Sequence, residues 1–73
     1  MIKFKDLDEA IIGTTEDCVT QTKRYIYDYQ KCVETLISKG DTEQDAIDWI
    51  DYNVLSVYLG KETPIILWKK NDQ

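Results

Sequence analysis

The stretch Lys39-Gly40-Asp41-Thr42-Glu43 is the strongest break in the chain, and its chemistry implies a helix on each side. Glycine has no Cβ to clash in the left-handed conformation that commonly follows a helix. Asp41 or Thr42 then offers a side-chain oxygen to the open N–H groups that begin the next one. Backwards from the turn, Asp28 is placed to cap a helix over residues 29–39, along which Cys32, Val33, Leu36 and Ile37 recur on one face. Forwards, residues 43–59 contain no Pro or Gly, carry acids in the first turn where the helix dipole favours them, and run into Gly60. At roughly 100° per residue, Trp49, Ala46, Val57, Ile50, Val54, Ile47 and Tyr58 fill one arc of this helix and Asp51, Gln44, Asp48 and Asp45 the opposite one. Asn53 falls inside the apolar arc.

Outside the helices, residues 10–15 and 22–27 are short, rich in β-branched and aromatic residues, and separated by polar ones, as expected of two strands of a hairpin. Residues 63–68 form a third strand signal, with Pro64 near its start, where a missing N–H is tolerated. Ile2, Phe4 and Leu7 fit either a helical turn or an extended lead-in. The order ββααβ predicts a single small α+β domain over residues 1–73. Its three-stranded, mainly antiparallel sheet would pack against an α-hairpin and so bury the apolar side of both layers.

At 73 residues the chain is one domain; its 42% hydrophobic residues are enough for a core beside 32% charged ones, and no Pro-rich, Gly-rich or repetitive run suggests disorder. No stretch approaches the roughly 20 apolar residues that span a bilayer, and the first residues lack a signal-peptide pattern, so a cytoplasmic protein is expected. Cys18 and Cys32, in a chain without histidine, are too few for a disulfide framework or a zinc site. No metal and no cofactor is expected. The motif inventory holds no G-x-G-x-x-G, P-loop or C-x-x-C, and neither cysteine has an evident activating base, so catalysis is not expected either.

The net charge of −5 is concentrated in one segment: residues 41–60 carry five acids and no base. That distribution argues against direct nucleic-acid or membrane binding, both of which call for clustered Lys and Arg. Asp45, Asp48 and Asp51 lie on the solvent side of the second helix. They form either an ordinary solvated face or an electronegative ridge that meets a basic partner, including as a mimic of nucleic acid. Tyr25, Tyr27 and Tyr29 alternate with Arg24, Ile26 and Asp28, so a strand continuing that far would show three rings on one face, where they pack under the helices or contribute to a protein-binding surface. A polar amide on an apolar face has to be hydrogen-bonded. Asn53 is therefore expected to latch the long helix to the Gly60-Lys61-Glu62-Thr63-Pro64 turn, with ligand binding as its alternative role.

With these positions in view, the chain resembles a family of small, functionally uncharacterised bacteriophage and prophage proteins. The pattern is Tyr27-Asp28, Cys32, Leu36, Ala46, Tyr52-Asn53, Gly60 and Thr63-Pro64, spanning residues 13–67. Members commonly carry glycine where this chain has Ser56 and Glu62, so the final turn is expected to differ in detail. The resemblance implies a phage accessory protein, with no catalytic residue to carry over. Such proteins often bind and block a host factor, including components of antiviral defence.

The leading expectation is thus a non-enzymatic protein that binds, and inhibits, a host protein with a basic surface through the acidic helix face. Two alternatives are a small-ligand or nucleotide-sequestering oligomer, with a pocket made by Tyr25, Tyr27 and Asn53, and a virion structural or assembly protein. A homodimer is a candidate state, since a chain this small with eight aromatic residues gains by burying some of them against a second copy.

Overall fold

In a computed structural model, residues 1–69 are described. The break at Gly40 separates two helices, α1 (Tyr29–Ser38) and α2 (Glu43–Ile50). Asp28 caps α1, its Oδ1 accepting the Lys31 N–H at 3.2 Å, and Thr42, rather than Asp41, caps α2 by accepting the Asp45 N–H at 3.2 Å. Gly40 takes a φ of 112°, where a side chain would be strained. The N–H groups of Gly40 and Asp41 return to the carbonyls of Ile37 and Leu36, closing the open end of α1.

The second helix does not run regularly to residue 59. It widens at Ile50 into a π-helical turn, Asp51–Leu55, and the chain is irregular from Val57 to the third strand. Asn53 Nδ2 donates to the Trp49 carbonyl at 2.9 Å and Ser56 Oγ to the Tyr52 carbonyl at 2.7 Å. Side chains that bond carbonyls four residues back compete with the backbone N–H groups those carbonyls would otherwise accept, which loosens a regular α ladder.

The sheet has the order β1 (Ile11–Asp17), β2 (Thr22–Asp28), β3 (Ile65–Leu67), with β2 central. The β1–β2 hairpin is antiparallel, pairing Thr14 with Tyr25 and Thr15 with Arg24, and it bulges at Ile12 between the pairs Ile11–Tyr27 and Gly13–Ile26. The short β3 runs parallel to β2, pairing Ile26 with Ile65 and Asp28 with Leu67, so the sheet is mixed. The turn before β3 is held by Thr63, whose Oγ1 accepts the Leu59 N–H at 2.8 Å and donates to the Gly60 carbonyl at 2.6 Å. Arg24 Nε donates to the Thr63 carbonyl and ties that turn to the central strand.

Phe4, Leu7, Ala10, Tyr27, Cys32, Val33, Leu36, Ala46, Ile50 and Val54 make one core. The first residues are therefore structural: they pass through a 3-10 turn at Asp8–Ala10 and bury Phe4 and, completely, Leu7. Tyr27 anchors them. Its ring is fully buried, 5.3 Å between centroids from Phe4, and its hydroxyl accepts the Phe4 N–H at 2.9 Å. Burial raises the pKa of this phenol, and the Phe4 hydrogen bond offsets only part of that rise.

Replacing Tyr27 by Phe keeps the ring and leaves the Phe4 N–H without its acceptor, which costs about 1–3 kcal/mol for a buried donor. Urea unfolding of Y27F is expected to show that loss at an unchanged m-value. Unaltered stability would mean that the hydroxyl does not hold the N-terminal segment.

Candidate functional site

Along α2 the apolar side is consumed by the core: Ala46 and Ile50 are buried, and Ile47 and Trp49 are partly so. Asp41, Glu43, Asp45, Asp48 and Asp51 are all exposed. Glu43 and Asp45 sit in the first turn, where the helix dipole stabilises negative charge, and Asp48 accepts from Gln44 Nε2 at 3.0 Å. Among the described residues, none of these five carboxylates takes part in an ion pair. Five of the cations are used elsewhere. Lys3 pairs with Asp8, Lys23 with Glu16 and Lys69 with Asp28, while Lys39 and Arg24 donate to backbone carbonyls. The acids of this segment are left to solvent or to a partner.

Asp45 and Asp48, three residues apart, share one side of α2, and Tyr52 follows them in the π-helical turn. Tyr52 is 80% exposed, as is Tyr58 beyond it, with Leu55 and Leu59 also at the surface. Tyrosine is among the residues enriched at protein interfaces.

The expected partner-binding tyrosines are corrected on this point. Tyr27 is sealed in the core and Tyr25 is half-buried, packed against that core with Lys3 Nζ 5.5 Å from its ring centre. The cause is the strand pleat, which turns both rings towards the helices. The expected latch by Asn53 is corrected as well: its side chain is exposed and bonds back within its own helix, because the π turn rotates it away from Gly60. Thr63, with Gly60 and the buried Pro64, closes that turn instead. Tyr25, Tyr27 and Asn53 therefore do not line a common pocket.

Tyr29, expected as a third ring of the strand, instead opens α1 and meets residues that sequence reasoning missed, where the start of α1 lies against the chain leaving β3. Tyr29 and Trp68 stack with centroids 3.8 Å apart and planes 18° from parallel. Together with Gln30 and Lys69 they line a groove of about 440 Å³. The Asp28 carboxylate, 2% exposed, accepts Lys69 Nζ at 3.0 Å on one oxygen while its other oxygen caps α1. Burial alone would raise its pKa, but the hydrogen bonds from Lys69, Lys31 and Gln30 outweigh burial and hold it below its ordinary 3.8. The available signal was the pair Asp28-Tyr29 at a strand-to-helix junction, matched by Trp68-Lys69 at the end of a strand.

The buried Cys32 thiol is pushed up to about 11 by burial and by the Asp28 charge, so it is protonated at neutral pH. Cys18 lies exposed in the hairpin turn. Among the described residues no cluster of three Cys, Asp or Glu side chains has metal-binding geometry, and no helix is long and apolar enough to cross a membrane. No protein-family model, curated protein or solved structure matches the chain.

Because the Asp28 pKa is lowered in the folded state, its contribution to stability is present above pH 3.8 and is lost as pH falls through the folded value. Asp28→Asn retains a capping oxygen and removes the charge. The variant is expected to be about 1.5–3 kcal/mol less stable than the parent at pH 7 and to close that gap near pH 2, by denaturant unfolding at both pH values. A gap that persists in acid would place the effect in packing. Asn53→Ala, at an exposed position, is expected to change stability by no more than about 0.5 kcal/mol; a larger loss would restore Asn53 as a structural latch.

Proposed function

We propose that the protein is a non-enzymatic accessory protein of phage type that works in the cytoplasm by binding, and thereby inhibiting, a host protein with a basic surface. The observation that carries this reading is the run of exposed carboxylates on α2, free of ion pairs among the described residues and continued by Tyr52. Charge of one sign on a rigid helix steers a complementary partner and fixes its register, while the exposed tyrosines supply apolar contact that holds it. The same charge repels nucleic-acid phosphates and anionic lipid, so the partner is a protein. The resemblance to phage accessory proteins directs the search to host factors, defence components among them.

Affinity capture from host cells, followed by titration of the recovered partner at several salt concentrations, tests this. Changing Asp45, Asp48 and Asp51 together to Asn is expected to weaken binding by roughly tenfold or more and to flatten its salt dependence, mainly through the on-rate. Unchanged affinity and salt slope in the triple variant would overturn the proposal.

A further inference from the structure

The pleat that turns Tyr25 and Tyr27 towards the helices turns the residues that alternate with them the other way. Thr22 and Arg24 therefore lie on the sheet face opposite the helical layer, and Asp17, the register partner of Thr22 on β1, lies beside them. With Thr20 in the hairpin turn and Lys61 in the turn before β3, these residues line a hollow of about 220 Å³. Clefts for drug-sized ligands begin at roughly 300 Å³, so this one has room for a single small group. Its charge is the reverse of the chain's. Arg24 and Lys61 against the carboxylate of Asp17 leave the lining positive in a chain of net charge −5.

The donors of the hollow are set in place and uncommitted. Arg24 Nε donates to the Thr63 carbonyl, which fixes the half-buried guanidinium between β2 and the turn, while its terminal nitrogens have no partner among the described residues. Lys61 is exposed and, among the described residues, takes part in no ion pair. Thr22 Oγ1 accepts from Thr20 Oγ1 at 3.0 Å, so its own proton is free to donate. One acceptor stands among them. Asp17 Oδ1 takes the Val19 and Thr20 N–H groups at 2.9 and 3.3 Å, and the other oxygen of that carboxylate is left over.

We infer that this hollow binds a single tetrahedral oxyanion that still carries a proton, hydrogen phosphate being the one that fits. Arg24, Lys61 and Thr22 take its charged oxygens, and Asp17 accepts its P–OH. The carboxylate makes the site selective. Sulfate, or the dianion of a phosphate ester, sets a bare oxygen against Asp17, whereas hydrogen phosphate of the same charge donates to it. The acids of α2 belong to the helical layer on the other side of the sheet, so this site and the acidic-face reading stand or fall separately.

The full chain is titrated near pH 8.5 with phosphate, sulfate and methyl phosphate, all dianions there, at an ionic strength held constant with chloride. The carbon-13 methyl signals of Thr20 and Thr22 report binding. Phosphate is expected to shift both signals saturably and to bind about threefold to tenfold more tightly than the other two, the scale of a charge-assisted hydrogen bond discounted for an exposed site. Lys61→Gln, at an exposed side chain, is expected to weaken phosphate binding by about threefold or more. Asp17→Asn keeps an oxygen for the hairpin turn and is expected to bring sulfate level with phosphate. Neither variant touches the Arg24–Thr63 contact, so both read the site even if Arg24→Gln loosens the fold.

Shifts that never saturate overturn the site, as does phosphate affinity unchanged in Lys61→Gln. Equal binding of phosphate and sulfate by the parent chain overturns it as a reader of the proton. Methyl phosphate bound as tightly as phosphate does the same and makes a phosphate ester the better ligand.

Discussion

The carboxylate of Asp28 is shared by three parts of the chain. It is the last residue of the central strand, the cap of α1 through Lys31, and the acceptor that holds Lys69 just after β3. Burying a carboxylate to 2% exposure is tolerable only with such partners. Once they are in place, the strand must end there, the helix must start there, and the chain leaving β3 must pass that point. The three consecutive residues Tyr27, Asp28 and Tyr29 then divide the work: one ring goes into the core, the carboxylate becomes the junction, and the second ring faces the surface under Trp68. The parallel β2–β3 pairing is only three residues long, and this ion pair reinforces it at its end.

Much of this was legible in the sequence, and the parts that were not have identifiable causes. Gly40, Thr42 and Asp28 act through local backbone chemistry, so the helix starts and the turn between them followed directly. The hairpin strands followed from alternation, although the bulge at Ile12 leaves no mark in the residue pattern. The end of α2 was misread because helical angles assume a regular ladder, and Asn53 and Ser56 break that assumption through side-chain bonds to carbonyls. Assigning Asn53 to an apolar face was the direct result, since a π turn rotates every later residue. The central position of β2 and the direction of β3 depend on long-range pairing of very short segments, which periodicity does not encode. The N-terminal residues were ambiguous for a similar reason: Phe4, Leu7 and Ala10 are spaced for a helix, but they are held by Tyr27 from another element.

For the candidate site, the acids were visible as a charge run and the aromatics were attributed to the wrong element. Tyr25 and Tyr27 lie on β2, the central strand, where a ring on the helix side is covered by necessity. The exposed rings belong to segments at the margins, Tyr52 and Tyr58 around the π turn and Trp68 after β3. Several of the opposite charges are directed to other carboxylates and to backbone carbonyls rather than to this segment. Among the described residues the carboxylates of that segment form no ion pair.

The bulge at Ile12 has a bearing on what the domain avoids. β1 is the longest free edge of the sheet, seven residues with outward N–H and C=O groups, the kind of margin onto which a foreign strand adds and from which aggregation starts. The extra residue kinks that margin and puts its hydrogen-bonding groups out of step, and Glu16 and Asp17 place like charges at its end, where a second copy would bring its own. Shape at one end of this edge and charge at the other disfavour growth of the sheet by edge-to-edge addition.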